Sequence, residues 1–147
     1  MAPLRLSLLL LLLPLACKGP DGSGYGRAPI APPDAVRLAA KSPDGVKGVF
    51  EVTILRAEAT RGMVYLNSEA DYRDPRCLTV AVTPSVAGTL MARLGVKRVE
   101  DLRNRTLRVK GTARQVKIHF VDNGRVTDRY YFQTHVFVDG ASQVSFL

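Results

Sequence analysis

The chain has 147 residues, 46% of them apolar and 23% charged, a balance that suits a folded domain and excludes a low-complexity or largely disordered chain. Lysine and arginine outnumber aspartate and glutamate by 21 to 13, so the net charge is +8 and anionic partners are favoured over basic ones. Two cysteines, Cys17 and Cys77, are too few for a scaffold stapled by several disulfides.

Residues 1–16 carry one charge, Arg5, ahead of an apolar stretch over residues 6–15 that only Ser7 and Pro14 interrupt. This is the layout of an export signal. The stretch is roughly half of the ~20 apolar residues needed to span a bilayer, and no other segment comes close. Ala16 supplies the small residue that a signal peptidase admits, and Cys17 follows at once. The run Leu13-Pro14-Leu15-Ala16-Cys17 resembles the lipobox of bacterial lipoproteins, although Pro14 and Leu15 depart from the residue types usual there. The resemblance implies removal of residues 1–16, acylation of Cys17 (palmitate among the acyl groups) and a membrane-anchored lipoprotein of the cell envelope. Cleavage nearby without lipid, giving a periplasmic or secreted protein, is the alternative. With Cys17 acylated, Cys77 stands alone and reads as a partly buried, inert thiol; a bridge between the two would need the intervening chain to fold back.

Residues 17–45 read as a tether. The segment 18–33 is rich in glycine and proline and resists helix and sheet alike. Fully extended, it reaches roughly 50 Å at about 3.3 Å per residue. Asp34, following Pro33, is a fair N-cap for a short helical turn up to Lys41.

From residue 46 the pattern turns to period two. Gly48, Phe50, Val52 and Ile54 fall on one face, with Val49, Glu51 and Thr53 on the other, which predicts a strand with one buried side. A turn at Arg61-Gly62 leads into a second strand over residues 63–67. Leu78, Val80 and Val82 alternate with Thr79 and Ala81 in a third. Thr83 caps a helix with Pro84 at its first position; its stripe is Val86, Leu90 and Leu94, and Gly95 ends it. After an acidic turn at Glu100-Asp101, Leu107 and Val109 face inward and Arg108 and Lys110 outward, with Gly111 expected to be a kink or bulge. Val116, Ile118 and Phe120 alternate up to Asn123-Gly124, a strong hairpin signal. Tyr130, Tyr131 and Phe132 lie on the return arm, and a last strand carries Val136 and Val138.

Three strands, a helix, then further strands is an order that looks like the OB-fold. The pieces that carry the likeness are Tyr65-Leu66-Asn67-Ser68, leading through Asp71-Tyr72-Arg73-Asp74-Pro75 to the third strand, and Leu107-Arg108-Val109-Lys110-Gly111 in the fourth. They resemble stretches of small bacterial OB-like domains of uncharacterised type. The resemblance implies a mostly β fold over residues 46–147: a five-stranded barrel, one helix between strands three and four, and an extra hairpin between strands four and five that helps line the ligand face.

Three functional readings compete. Residues 97–129 hold ten basic side chains against four acidic ones. With Arg108, Lys110 and Lys117 pointing outward near Tyr130 and Tyr131, this stretch fits single-stranded nucleic acid or an anionic polysaccharide; export lowers the weight of nucleic acid. A hydrolase of the OB nuclease type is the second reading. Its motifs are missing, His119 and His135 are too far apart in sequence for zinc-ligand spacing and read as strand-surface residues, and Arg73 and Arg76 sit among the acids Glu69, Asp71 and Asp74. No metal, cofactor or catalytic residue is therefore expected. The preferred reading is a non-catalytic binding or interaction module of the cell envelope, contacting an envelope protein or anionic polymer through the loops 68–76 and 117–132. Asn67, Tyr72 and Arg73 are the candidates in the first loop, Tyr130 and Tyr131 in the second, with Arg108, Lys110 and Lys117 beside them.

Overall fold

The computed structural model describes residues 28–147, so the expected export signal, Cys17 and the first part of the expected tether lie outside the described residues. Two α-helices and seven strands follow in the order α1 (Pro32–Ala39), β1 (Val46–Thr53), β2 (Arg56–Thr60), β3 (Met63–Asn67), β4 (Leu78–Val82), α2 (Pro84–Leu94), β5 (Thr106–Asp122), β6 (Arg125–Val138) and β7 (Val144–Phe146). No helix among the described residues is long and apolar enough to cross a membrane.

The strands form one mixed sheet in the order β1-β5-β6-β4-β3-β2, with β7 also on β5. All pairings are antiparallel except β4 with β6. The two flanks of that path, β1 and β2, are consecutive in the chain, with only Ile54 and Leu55 between them. The sheet therefore curls into a half-barrel to bring one flank round toward the other. The two linking residues keep the hydrogen bonding going on both sides: the Ile54 amide donates to the Arg105 carbonyl and the Leu55 amide to the Asn67 carbonyl, each at 2.9 Å.

Inside the curl lie the residues that period two assigned to the core. Phe50, Val52 and Ile54 of the first strand, Leu66, Leu78, Val80 and Val82 of the next two, and Leu107, Val109, Val136 and Val138 are all solvent-free. Val86, Leu90 and Leu94 of α2 join them, and Gly95 ends that helix in the left-handed region at φ 66°. Such burial of branched apolar side chains contributes ~1.5–3 kcal/mol each before entropy is counted.

Several expectations shift. The helix at the N-terminal end begins at Pro32, with Ala31 rather than Asp34 as its cap; Asp34 sits in the first turn and pairs with Arg37 at 3.0 Å. Two prolines can open a helix because its first amides have no intrahelical partner. Residues from Ile30 on, placed in the tether by composition, lie on the sheet. The Ile30 amide donates to the Val49 carbonyl at 2.8 Å and its carbonyl accepts from the Glu51 amide at 3.1 Å, while Ala35 and Ala39 are buried. Gly48 makes room for this: a Cβ there would come 2.8 Å from Ile30 Cδ1.

The strand β2 went unread because Arg-Ala-Glu-Ala-Thr has only small apolar residues and no branched one to mark a buried face. The expected fourth strand and the extra hairpin are one continuous ribbon, β5 with β6, closed by Asn123-Gly124 at φ 48° and 76°. Gly111 is not a bulge, since β1 and β5 stay in unbroken register across it. The register shift falls between His119 and Val121. Gly111 is instead a point of close approach, where a Cβ would lie 2.7 Å from Val136 Cγ1.

Candidate functional site

Registered residues on neighbouring strands share a face of the sheet. Across β2, β3, β4, β6 and β5, the row Ala57, Leu66, Val80, Val136 and Ala113 points into the core. One residue along runs Arg56, Asn67, Thr79, His135 and Arg114, on the opposite face. Outward-facing polar residues should be wet, yet Asn67 is 1% exposed, Thr79 2% and His135 6%.

They are shielded by structure rising on either side, and they floor an open cleft of about 370 Å³. One wall is Tyr72 and Arg73 from the loop between β3 and β4. The other is the outer part of the β5–β6 ribbon, with Ile118, His119, Phe120, Val121, Tyr131 and Gln133. Glu58 and Tyr65 complete the lining. The loop is shaped by its own acids: Asp71 accepts from the Arg73 amide at 2.9 Å, and Asp74 from the Arg76 amide at 2.8 Å and from the Arg76 guanidinium. That guanidinium and amide hold the Asp74 carboxyl down at about 2. Asp71 and Asp74 thus build turns.

On the floor, Thr79 Oγ1 donates to Asn67 Oδ1 at 2.7 Å, and the Cys77 thiol lies 3.9 Å from both oxygens. Asn67 Nδ2 is buried without a hydrogen-bond partner among the described residues. Turning the carboxamide over would give Thr79 the nitrogen and orphan the oxygen, so one end is left over either way. Beside it a polar chain climbs the wall: His135 Nε2 meets Gln133 Oε1 at 2.7 Å, and Gln133 Nε2 donates to the Tyr131 hydroxyl at 2.9 Å. With Gln133 in this orientation His135 donates from Nε2; with the carboxamide turned over, Gln133 would donate to Nε2 and accept from the Tyr131 hydroxyl. Burial drives the His135 ring down to about 4 and pushes the Tyr131 hydroxyl and the Cys77 thiol up. All three rest neutral near pH 7.

The rim is charged and aromatic. Tyr72 has the Arg73 guanidinium at 5.1 Å and that of Arg56 at 5.4 Å from its ring. Arg56 also reaches Glu58 with two hydrogen bonds, at 2.9 and 3.2 Å. Phe120 and Tyr131 pack with ring centres 5.3 Å apart, tilted by 43°, on the ribbon wall.

Of the residues singled out in sequence, Asn67, Tyr72, Arg73 and Tyr131 converge here. Lys117 and Tyr130 lie on the ribbon face away from Ile118 and Tyr131, Lys117 Nζ standing 4.4 Å from the Tyr130 ring. Arg108 sits at the other end of β5, 3.6 Å from Glu51, and Lys110 pairs in register with Val49; neither lines the cleft. His135 is a floor residue, not a strand-surface one, because the cleft walls rise over a face that alternation alone assigns to solvent. The sequence does not mark Glu58, Tyr65, Thr79 or Gln133 as site residues, and it assigns His135 to a strand surface. A signal was there in Tyr131, Gln133 and His135, polar side chains at period two within a strand whose other face carries Phe132, Val136 and Val138.

Cys77 forms no disulfide among the described residues and is 3% exposed. Among the described residues, no group of three or more His, Cys, Asp or Glu side chains is placed to hold a metal ion. No protein-family model matches the chain, and no curated protein does.

Proposed function

We propose that the chain is an exported, lipid-anchored, non-catalytic binding module of a cell envelope, built on an OB-like barrel, with the cleft as its ligand site. Counting β1 and β2 as one strand bent at Ile54-Leu55 supports the OB assignment. It makes the barrel five-stranded, with α2 between its third and fourth strands, and the ribbon becomes an elongation of the fourth and fifth.

The observation that carries the binding reading is the orphaned carboxamide of Asn67. A buried unpaired polar group costs ~1–3 kcal/mol, and a protein that tolerates one at the bottom of an open cleft has kept it for something that enters. The loops expected to form the contact surface are the cleft's two walls.

The floor chemistry supports a non-catalytic role. A general acid or base works best when its pKa lies near the working pH, whereas His135, Tyr131 and Cys77 are each shifted away from it. The glutamine between His135 and Tyr131 holds both but relays no proton readily.

The test is a heteronuclear NMR screen of the purified protein against a fragment library, following the Asn67 side-chain amide. Perturbations confined to Asn67, Tyr72, Tyr131 and their neighbours are expected. Hits that leave these residues unmoved would sink the cleft as ligand site.

A second reading, polyanion binding, is favoured by the opposite face of the ribbon. Lys117 lies over Tyr130, and Tyr130 and Phe132 are each 49% exposed. Cations interleaved with exposed rings suit a single strand or an anionic polysaccharide. Titration with each polymer across a salt series decides it, since charge-driven binding weakens steeply with salt.

A further inference from the structure

We infer that the cleft takes an N-acylated small ligand that also bears a carboxylate, seating the neutral secondary amide over Asn67 and placing the carboxylate at Arg73. This rests on the cleft being the ligand site and names the chemistry that fits it.

The floor is the stricter filter. Asn67 is fully buried and has one unpaired end. A secondary amide, carrying both a carbonyl acceptor and an N–H donor, satisfies a carboxamide in either orientation. An ionised group would fit poorly there: Thr79, His135, Gln133 and Tyr131 supply no formal charge to balance it, and an unpaired charge on a dry floor is strongly disfavoured. A purely apolar group would leave Asn67 orphaned.

The rim selects the second group. The charged residues lining the cleft are Glu58 and Arg73. Glu58 is engaged by Arg56 at 2.9 Å, whereas Arg73 forms no salt bridge among the described residues. Its guanidinium is held against Tyr72, at 5.1 Å, with its fork of donors suited to a carboxylate. Between floor and rim, Ile118, Phe120 and Tyr65 offer apolar contact for an acyl methyl and a compact body. The cleft's ~370 Å³ is within the range of small-ligand pockets.

Acyl amides of this kind occur in acetamido sugar acids and in acylated amino acids, and the experiment separates the two. The purified protein is titrated by NMR with N-acetylmuramic acid, muramic acid, N-acetylglucosamine and N-acetylalanine. N-acetylmuramic acid is expected to shift the Asn67 side-chain amide. Muramic acid, which lacks the acyl group, should not. N-acetylglucosamine, which lacks the carboxylate, is expected to bind about tenfold more weakly, and R73Q should reduce N-acetylmuramic acid to that level. N-acetylalanine binding as tightly assigns the amino-acid source; weaker binding assigns the sugar. Equal binding of muramic and N-acetylmuramic acids, or unchanged affinity in R73Q, overturns the inference. If none of the four moves the Asn67 amide while other fragments do, the ligand chemistry fails and the cleft stands. If nothing moves it, the cleft reading falls as well.

Discussion

The hydroxyl of Thr79 donates to the carboxamide of Asn67 across paired positions of β3 and β4, at 2.7 Å, on the sheet face that points away from the core. That bond holds one end of a buried carboxamide whose other end has no hydrogen-bond partner among the described residues. Under the proposed binding role, stability and binding are set against each other at this pair.

Removing the hydroxyl alone with T79V leaves Asn67 without its donor and is expected to destabilise the fold by ~1–3 kcal/mol. Replacing both partners, as N67L with T79V, removes the hydroxyl and the carboxamide together, leaving only the weakly bonding Cys77 thiol, and is expected to be neutral or stabilising. Urea unfolding of the two variants reads the difference. A double variant less stable than T79V would mean that Asn67 serves the fold and not a ligand.

His135 makes stability depend on pH. Its ring sits at about 4 in the folded protein against the ordinary 6.5, because burial disfavours the charged form. Between those values the unfolded chain binds more protons than the folded one. The contribution is therefore intact above pH 6.5 and is lost as pH falls toward 4, by up to about 3 kcal/mol. Denaturation midpoints at about pH 7 and about pH 5, compared with those of H135Q, isolate it: the variant should show a shallower decline.

Two glycines predict contrasting losses. In G111A the new Cβ meets Val136 Cγ1 at 2.7 Å, a buried branched side chain with no room to yield. A cost of ~1–3 kcal/mol is expected for such overpacking. In G48A the contact is with the tip of Ile30, at 2.8 Å, which can swing away. The expected effect is a small loss of global stability with faster hydrogen exchange in residues 30–40, and I30A should relieve the clash. Exchange in that segment unchanged by G48A would show that Ile30 is not seated as described.

Acylation of Cys17 predicts that the chain expressed in a bacterium with its own signal partitions with membranes, and that mass spectrometry finds a diacylated N-terminal cysteine. C17S should abolish both. An unmodified mature N-terminus in the first case would remove the anchor from the proposal and leave the cleft untouched.

Much of the barrel was legible residue by residue. Strand β1 and helix α2 announce themselves because each buries one face, and burial imposes a period that the chain must write out, as in Phe50 and Val52; β4, buried on both faces, shows instead as a short run of apolar and β-branched residues. What escaped has no such period. Strand β2 offers only Ala57 to the core, and Ile30 lies in a stretch whose prolines and glycines look like tether, although one isoleucine seated above Gly48 is enough to hold it down. The long ribbon was read in pieces because its outer half leaves the core, and residues 119–130 are mostly exposed on both faces.

The site divides the same way. Tyr72 and Arg73 could be picked out by residue type and loop position, and Asn67 by the segment it ends. Amino-acid order by itself determined the signal-like N-terminus, the apolar faces of the strands and the stop of α2 at Gly95, because each depends on residues adjacent or two to four apart. Only the tertiary structure decided that Asn67, Thr79 and His135 lie in one dry row. That row depends on strand pairings between residues 12 and 56 positions apart and on two loops rising over a face that local patterning gives to water.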